Sequence, residues 1–320
     1  FNTLHNEGQI LSPGQIDLGV TDLLENQGSI ISKGSLAVKG TGTLVNRGTL
    51  QSGKKGKLSL ETQKAVNHRL IKAKGELLMD SGEAFINEQG GWIQALGLTK
   101  ITGKGNLINR SHRIEGEHWL NPALEGAGFS LEDALWFHAF KGAVINEGSW
   151  ATKGRVFGFL HHFENKGHWR AGIMGLEIST FLNQFSDGIT GGLIDASGFW
   201  KIHTGRNGGI FQGQHLHVKV GEELNQSERG TIKTTDLLKV DGEGTLNLKG
   251  QALSNWEILL DAKEIEMSSH VNALKITIGE KVSRWVRHTV GDWIFKTLSL
   301  LGSQTLGLNE GLLEGDGLES

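Results

Sequence analysis

Two pairs of acidic residues are the first candidates for chemistry in this 320-residue sequence. Glu115 and Glu117 share a side if the chain is extended there, and Asp187 and Asp195 fall in successive segments. Carboxylates several ångströms apart can act as the general acid and base that cleave polysaccharides. Such pairs are also expected by chance among 35 Asp and Glu residues. A polysaccharide lyase, hydrolase or depolymerase therefore stays an alternative function, and no residue is assigned as catalytic.

Histidines are concentrated in one stretch of the chain. Six of the 13 lie between residues 161 and 217. His215 and His217 point to one face if they lie in a strand, which is a permissible geometry for two ligands of a metal ion. No third ligand follows at a fixed spacing, and scattered histidines on a solvated face are commoner. The sequence therefore predicts no metal site and no cofactor.

Composition limits the remaining kinds of site. Cysteine is absent, which excludes disulfides, thiolate zinc sites and cysteine nucleophiles. A net charge of −3 gives no general attraction to nucleic acid or to an anionic membrane, and Lys54, Lys55 and Lys57 are interpreted as a small solvated turn. No apolar stretch approaches the roughly 18–20 residues of a membrane span. Because the chain starts at Phe1 without a leader, we expect a segment of a longer protein.

A repeated Asn-x-Gly mark organises the sequence. Asn6-Glu-Gly8, Asn26-Gln-Gly28 and Asn46-Arg-Gly48 are spaced by 20 residues, and short alternating runs such as Leu36-Ala-Val38 indicate strands between them. If each repeat is one coil of a parallel β-helix, stacked about 4.8 Å above the last, the asparagine amides form a ladder along the axis. The predicted ladder comprises Asn6, Gly8, Asn26, Gly28, Asn46, Gly48, Asn67, Asn87, Asn109, Asn146, Gly148, Asn165 and Gly167, and the count continues through Asn183, Asn207, Asn225 and Asn247.

The sequence thus predicts an all-β fold, a right-handed parallel β-helix (solenoid) with coils of about 20 residues and one irregular insertion in the middle. A single coil buries too few aliphatic side chains to offset the entropy of ordering it, so stacking on neighbours is required. We expect one continuous β-helix over 1–320. Its stretches are regular repeats in 1–110, an insertion or irregular coils in 111–145, aromatic- and His-rich coils in 146–255, and less regular coils in 256–320.

The repeat breaks between Asn109 and Asn146. These residues are 37 positions apart, which fits either two short coils or one coil with an insertion. Ser130-Leu-Glu-Asp133 is typical of a helix cap, so a short helix there is favoured over a strand at 134–140. A second helix is an alternative at 256–267, within a stretch that we otherwise assign to the β-helix.

Aromatic residues gather in and after this break. Residues 119–211 contain ten of the 13 Phe and five of the nine Trp. One interpretation is that the coils widen and the rings fill a larger core. The other is that some rings form an exposed platform that stacks on sugars or anchors a protein interface. The candidate recognition surface consists of Trp119, Trp136, Phe137, His138 and Phe140.

The phrase L-x-N-x-G-x-[IL]-x-[SA]-x-G-x-L-x-[LV], clearest in residues 24–38 and 44–60, resembles the repeats of filamentous-haemagglutinin-like exoproteins. Those are the large secreted partners of two-partner secretion systems and include adhesins and effectors of contact-dependent growth inhibition. The resemblance covers residues 1–110 well, 140–250 in part and 256–305 weakly.

The resemblance implies a rod-like segment of a bacterial exoprotein that is secreted or displayed outside the outer membrane. The implied partners are a cell-surface receptor or glycan on a target cell and an outer-membrane transporter for export, with no nucleic acid and no membrane span. The family's secretion domain carries Asn-Pro-Asn, whereas Asn121-Pro122 is followed here by Ala123, so that domain is not evident. Neither is a C-terminal toxin module. The resemblance therefore implies adhesion or target recognition, with a purely structural spacer as a further alternative.

Overall fold

The computed structural model describes residues 1–111, 128–184, 192–267, 270–279, 282, 284–287, 293–294 and 297–300. Every regular element within these ranges is a β-strand, and the strands pair in parallel. The chain forms two compact units. The first contains Phe1–His161 and Gly167–Gly172, and the second contains His162–Lys166 and the chain from Ile173 onward. Each unit is a β-solenoid, with about 12 turns in the two together, which confirms the predicted fold class.

The strands of the first unit are mostly three to five residues long. In chain order they are β1 Thr3–Asn6, β2 Gln9–Ser12, β3 Ile16–Gly19, β4 Leu23–Asn26, β5 Ser29–Ser32, β6 Leu36–Lys39, β7 Thr43–Asn46, β8 Thr49–Gln51, β9 Leu58–Asn67, β10 Leu70–Ala73, β11 Leu77–Asn87, β12 Trp92–Ala95, β13 Thr99–Gly103, β14 Asn106–Asn109, β15 Gly128–Leu131, β16 Leu135–Phe137 and β17 Ala143–Asn146.

Longer strands follow, and the first two of them contribute residues to both units. In chain order they are β18 Ser149–Asn165, β19 His168–Asn183, β20 Leu193–Asn207, β21 Ile210–Gln226, β22 Thr231–Leu248, β23 Gln251–Ser254, β24 Glu257–Met267, β25 His270–Asn272, β26 Lys275–Ile278, β27 Arg284–Arg287, β28 Trp293–Ile294 and β29 Thr297–Leu300.

Three strands make one coil at the start of the first unit. β1, β2 and β3 pair in register with β4, β5 and β6, which lie 20 residues later in the chain. We call the strands that end in a ladder asparagine face A (β1, β4, β7), the next strands face B (β2, β5, β8), and the third strands face C (β3, β6 and the start of β9). Strands of later coils that stack on these in register carry the same letters. Each coil therefore repeats the order A, B, C, and the 20-residue period is one circuit.

Alternation along each strand builds the core. In β4 and β5 every second residue is buried, and Leu24 and Ile30 are fully inaccessible to solvent. Leu24 pairs with Leu44 of the next coil and Ile30 pairs with Leu50, so aliphatic side chains stack in columns. A fully buried aliphatic side chain contributes about 1.5–3 kcal/mol, and each coil gains it from the coils on either side.

In the second coil, a glycine occupies the position where the backbone passes from face C to face A. Gly40 has φ +150°, a conformation that residues with a side chain rarely adopt. A Cβ there would also overlap the carbonyl oxygen of Val20 in the preceding coil. The corner therefore depends on close contact between successive backbones.

The long step in the repeat is one coil with an insertion. Asn109 pairs directly with Asn146, while β15 and β16 pair with β12 and β13 on faces B and C. The additional residues, 112–127, lie outside the described residues.

The helix predicted after Ser130 is wrong, and at 256–267 the β-helix assignment is correct and the helix alternative is not. β15 ends at Leu131 and β16 begins at Leu135, and residues 257–267 form β24. Leu131 and Leu135, four residues apart, fit one helix face, but they also fit the inward positions of two consecutive strands. Tertiary stacking decides between these outcomes, because the neighbouring coils offer both strands a pairing partner.

Candidate functional site

The ladder asparagines occupy the last position of the face A strands, with buried side chains. Asn26 Nδ2 donates a hydrogen bond of 2.8 Å to Asn46 Oδ1, and Asn46 Nδ2 donates one of 2.8 Å to Asn67 Oδ1. Amide–amide hydrogen bonds of 2.7–3.0 Å also join Asn6 to Asn26, Asn67 to Asn87, Asn87 to Asn109 and Asn109 to Asn146 in the first unit, and Asn165 to Asn183 and Asn183 to Asn207 in the second.

The same amides also tie face A to face B of the following coil. Asn26 Nδ2 lies 3.1 Å from the carbonyl oxygen of Thr49, and Asn46 Nδ2 lies 3.1 Å from that of Leu70. One side chain thus satisfies an amide acceptor and a backbone carbonyl. Buried polar groups need such partners, so the ladder holds the A–B corner in register.

The glycine two positions after a ladder asparagine permits close stacking. A Cβ at Gly28 would overlap the carbonyl oxygen of Gly8, and one at Gly48 would overlap that of Gly28. The equivalent overlap at Gly167 is with the carbonyl oxygen of Gly148.

The ladder changes character in the second unit. Asn207 pairs with Gln226, whose buried Nε2 donates hydrogen bonds of 2.8 Å to the carbonyl oxygens of Gly230 and Gln251. The next residue at this position is Leu248. An apolar side chain therefore follows the amides there.

The continuation of the ladder through Asn225 and Asn247 is wrong by one residue. Both occupy the adjacent, half-buried position, where Asn247 Nδ2 donates a 2.7 Å hydrogen bond to Asn225 Oδ1. The sequence steps of 18 and 22 residues do not reveal this slip, because a coil can lose or gain a residue at any corner.

The candidate recognition surface is only partly exposed. Trp119 lies outside the described residues, while Phe137 and Phe140 belong to the core, with exposed fractions of 2% and 3%. Placing these two phenylalanines on the surface is therefore wrong. β16 alternates from the buried Leu135, so Phe137 points inward like Leu135, and Phe140 packs against Phe137 with ring centroids 5.7 Å apart. His138 is exposed and Trp136 is half-buried.

Trp136 lies in an outward column on face C of the first unit. Its register partners are Lys100 on the preceding coil and Phe157 on the following one. Lys100 Nζ lies 5.1 Å from the Trp136 ring centroid, within the range of a cation–π contact, and the Phe157 ring is stacked at 5.7 Å and 30°. The His138 ring lies 4.4 Å away, tilted by 59°. The indole is thus fixed by three neighbours.

Phe157 belongs to this column and Phe159 is the next outward residue of β18, and sequence reasoning identified neither of them. They are 37% and 39% exposed, and the His161 ring lies edge-on to Phe159 at 4.8 Å. We define the aromatic surface as Trp136, His138, Phe157, Phe159 and His161. A signal was available in "VFGFL", where the inward Val156 and Leu160 bracket the two outward phenylalanines.

Most other rings fill the cores, as the alternative interpretation expects. Trp150 and Trp169 stack in the first unit with centroids 4.4 Å apart and planes within 5°. A second cluster in the second unit contains Phe163, Phe181, Trp200 and Phe211, all at most 1% exposed. The interpretation that the rings fill the core therefore applies to these residues, and the interpretation of an exposed platform applies to others.

The histidine pair of the second unit contacts acidic residues. His215 Nε2 lies 3.5 Å from an Asp236 oxygen, and His217 Nε2 lies 3.0 Å from Asp241 Oδ2, which also accepts from Lys239 Nζ at 3.0 Å. Burial tends to raise the pKa of the Asp241 carboxyl, but hydrogen bonds from Lys239 and His217 outweigh it and the pKa lies below its usual value. Within the described ranges, no group of three or more His, Cys, Asp or Glu is arranged to hold a metal ion.

Of the four candidate acidic residues, one lies among the described residues. Glu115, Glu117 and Asp187 lie outside the described residues. Asp195 is half-buried on β20, and its partner in the next coil is Gln212, which has no acid–base function. Neither candidate pair is therefore complete within the described residues.

Comparison with known proteins gives one family. The model described as "Haemagglutinin repeat" matches residues 2–54, 13–77 and 80–111, about a third of the chain. No curated protein and no solved structure matches the chain. Among the described residues, no helix is long and apolar enough to cross a membrane.

Proposed function

We propose that the aromatic surface of this chain binds a target cell. The haemagglutinin-repeat model matches within residues 2–111, which fold as a β-solenoid, so this part of the chain is similar to filamentous-haemagglutinin-like proteins. Repeats of this family are structural and adhesin-type elements of secreted or surface exoproteins. The proposed role is attachment or target recognition by a shaft segment, either to a host or in contact-dependent inhibition. Its export is proposed to use an outer-membrane transporter of a two-partner secretion system.

The exposure of Phe157 and Phe159 is the observation that supports this proposal. Alternation places them outward on a strand whose inward residues, Val156 and Leu160, are fully buried. Adjacent exposed rings are costly to leave in water, and such patches mark binding sites more often than bare surface. Rings of this kind stack on sugars or anchor protein interfaces, so a glycan and a protein receptor are the two ligand classes.

The test is saturable binding of the labelled chain to intact candidate target cells. The double variant F157T/F159T removes both exposed rings and keeps strand-forming residues. We expect at least about a tenfold loss of affinity, since losing anchor residues costs about 2 kcal/mol or more. Glycosidase treatment and protease treatment of the cells then separate the two ligand classes.

A matched control is L11T/V45T, which replaces two outward apolar residues elsewhere in the first unit. It is expected to bind as the wild type does, and both variants are expected to retain β-rich circular dichroism. Equal binding by all three chains would remove the aromatic surface from recognition.

A structural spacer is the second candidate, and the surroundings of Trp136 favour it. Lys100 and Phe157 occupy the neighbouring positions of its column, so the indole also acts as a stacking element. Absence of wild-type binding to every cell type, with F157T/F159T lowering stability, would favour this role.

A further inference from the structure

Five lysines lie along one corner of the first unit, between faces B and C. Lys33 follows β5, Lys54 and Lys55 lie in the turn after β8, Lys57 precedes β9, and Lys74 follows β10. These positions belong to three consecutive coils. We call the five side chains the basic corner.

Backbone contacts place the three coils directly on one another at this corner. Gly53 N donates a 2.8 Å hydrogen bond to the carbonyl oxygen of Gly34, and a Cβ at Gly75 would overlap that of Gly56. Stacked coils are about 4.8 Å apart, so the lysines are concentrated along a short length of the axis. The sequence alone shows only the Lys54–Lys57 turn, because Lys33 and Lys74 lie about one coil away in the chain.

The charge of the basic corner is largely uncompensated. Lys33, Lys54, Lys55 and Lys57 are exposed and Lys74 is half-buried, and none of the five is in a salt bridge within the described part of the chain. Lys57 interacts electrostatically with Glu61, whose closest cation is Lys39 Nζ at 3.1 Å. Within the corner residues 32–35, 52–57 and 73–76, Glu76 is the single carboxylate.

Among the described residues, the row of unpaired lysines at this corner ends after Lys74. At the equivalent corner two coils after Lys74, Glu132 is paired with Lys153 over 2.9 Å. Between them lies Leu96, the register equivalent of Lys74, with 42% of its side chain exposed. An apolar side chain thus adjoins the lysines at their end.

The composition of the corner selects among anionic ligands. It contains no aromatic ring, so it lacks the stacking partner that single-stranded nucleic acids use. It contains lysine rather than arginine, which gives point charges without a bidentate fork. A corner between two faces projects outward, so it suits a flat anionic surface better than a small molecule that needs a cleft.

We propose that the basic corner docks on an anionic lipid surface, with the lysines facing clustered phosphate groups and Leu96 entering the headgroup region. Clusters of four to eight basic residues bind such surfaces, and each basic residue adds a similar amount to the free energy of binding. This activity is independent of the aromatic surface and adds a second binding site to the first unit.

The test is sedimentation of the full chain with vesicles of phosphatidylcholine containing 30% phosphatidylglycerol, beside vesicles of phosphatidylcholine alone. We expect binding to the anionic vesicles only, weakening as salt is raised because the charges are exposed. K33Q/K54Q/K55Q/K74Q should lose about 100-fold or more in affinity, and K54Q/K55Q about tenfold or more. The milder variant changes two exposed turn residues and keeps the test valid if the quadruple variant folds poorly.

The matched control is K104Q/K219Q/K233Q/K249Q, which removes the same charge from exposed lysines elsewhere. It should retain binding within about threefold; an equal loss in control and corner variants would reduce the effect to net charge and overturn the proposal. Binding to heparin or polyphosphate but not to vesicles would overturn it, as would displacement by about 10 mM inorganic phosphate at constant ionic strength. Persistence of vesicle binding in F157T/F159T separates this site from the aromatic surface.

Discussion

A single side-chain type performs several tasks at the ladder position. Asparagine is short enough to stay beside its own backbone, and its amide both accepts and donates along the axis. Asn46 Oδ1 accepts from Asn26, while its Nδ2 donates to Asn67 and to the carbonyl oxygen of Leu70. Leucine at position 248 fits the same space but satisfies none of these groups. The amide is therefore selected by hydrogen bonding and not by volume.

Replacing Asn46 with alanine tests this argument. The variant leaves buried amide and carbonyl groups of Asn26, Asn67 and Leu70 without their partner, and each such group costs about 1–3 kcal/mol. We expect the free energy of unfolding to fall by about 3 kcal/mol or more in urea titrations. Asn225→Ala is the control, because this half-buried residue accepts one side-chain hydrogen bond, and it should cost less than about 1 kcal/mol. Similar losses in both variants would contradict a special role for the ladder.

At the scale of elements, the 20-residue period predicts the coils. It does not predict which side chains face the core in the strands near the break. The 20-residue step places Leu24 beneath Leu44 without further information. Near residue 135 the same reasoning fails, because a Leu–Leu spacing of four fits a helix face as well as two inward strand positions. Phe137 and Trp136 could be told apart only by the register of β16 on β13, which is a long-range property.

The C–A corner gives a prediction for the elements it joins. Gly40→Ala places a side chain at φ +150° and against the carbonyl oxygen of Val20, so the corner must shift. Strained backbone conformations cost about 1–3 kcal/mol, and we expect at least this loss of stability in urea titrations.

Gly19→Ala is the control for the corner, because Gly19 lies in the preceding coil as the register partner of Lys39, the residue before Gly40. A Cβ at Gly19 would meet no atom within 4 Å, and we expect stability within about 0.5 kcal/mol of the wild type. If Gly40→Ala were equally tolerated, close packing would not limit the residue type at this corner.

For the whole molecule, the stretch that matches the family model and the proposed recognition surface lie in different parts of the chain. The match to the haemagglutinin-repeat model ends at residue 111, whereas the aromatic surface lies in residues 136–161. The repeat pattern thus predicts the fold of a region next to the proposed recognition site, but not the site itself. Which rings are exposed there depends on which residues of each strand face inward. A single-residue slip at a corner exchanges the inward and outward residues.

Each coil of a solenoid contacts only its neighbours, which predicts how damage spreads. Leu50 is fully buried and pairs with Ile30 and Ile71, so Leu50→Ala opens a cavity that costs about 2–5 kcal/mol in those coils. Hydrogen exchange followed by mass spectrometry should show faster exchange in peptides covering 23–51 and 64–95 and no change in 193–260. Leu11→Ala, at an exposed position, should leave all three regions unchanged. A uniform acceleration that includes 193–260 would instead show that the chain unfolds as one cooperative body, because stability would then be shared beyond adjacent coils.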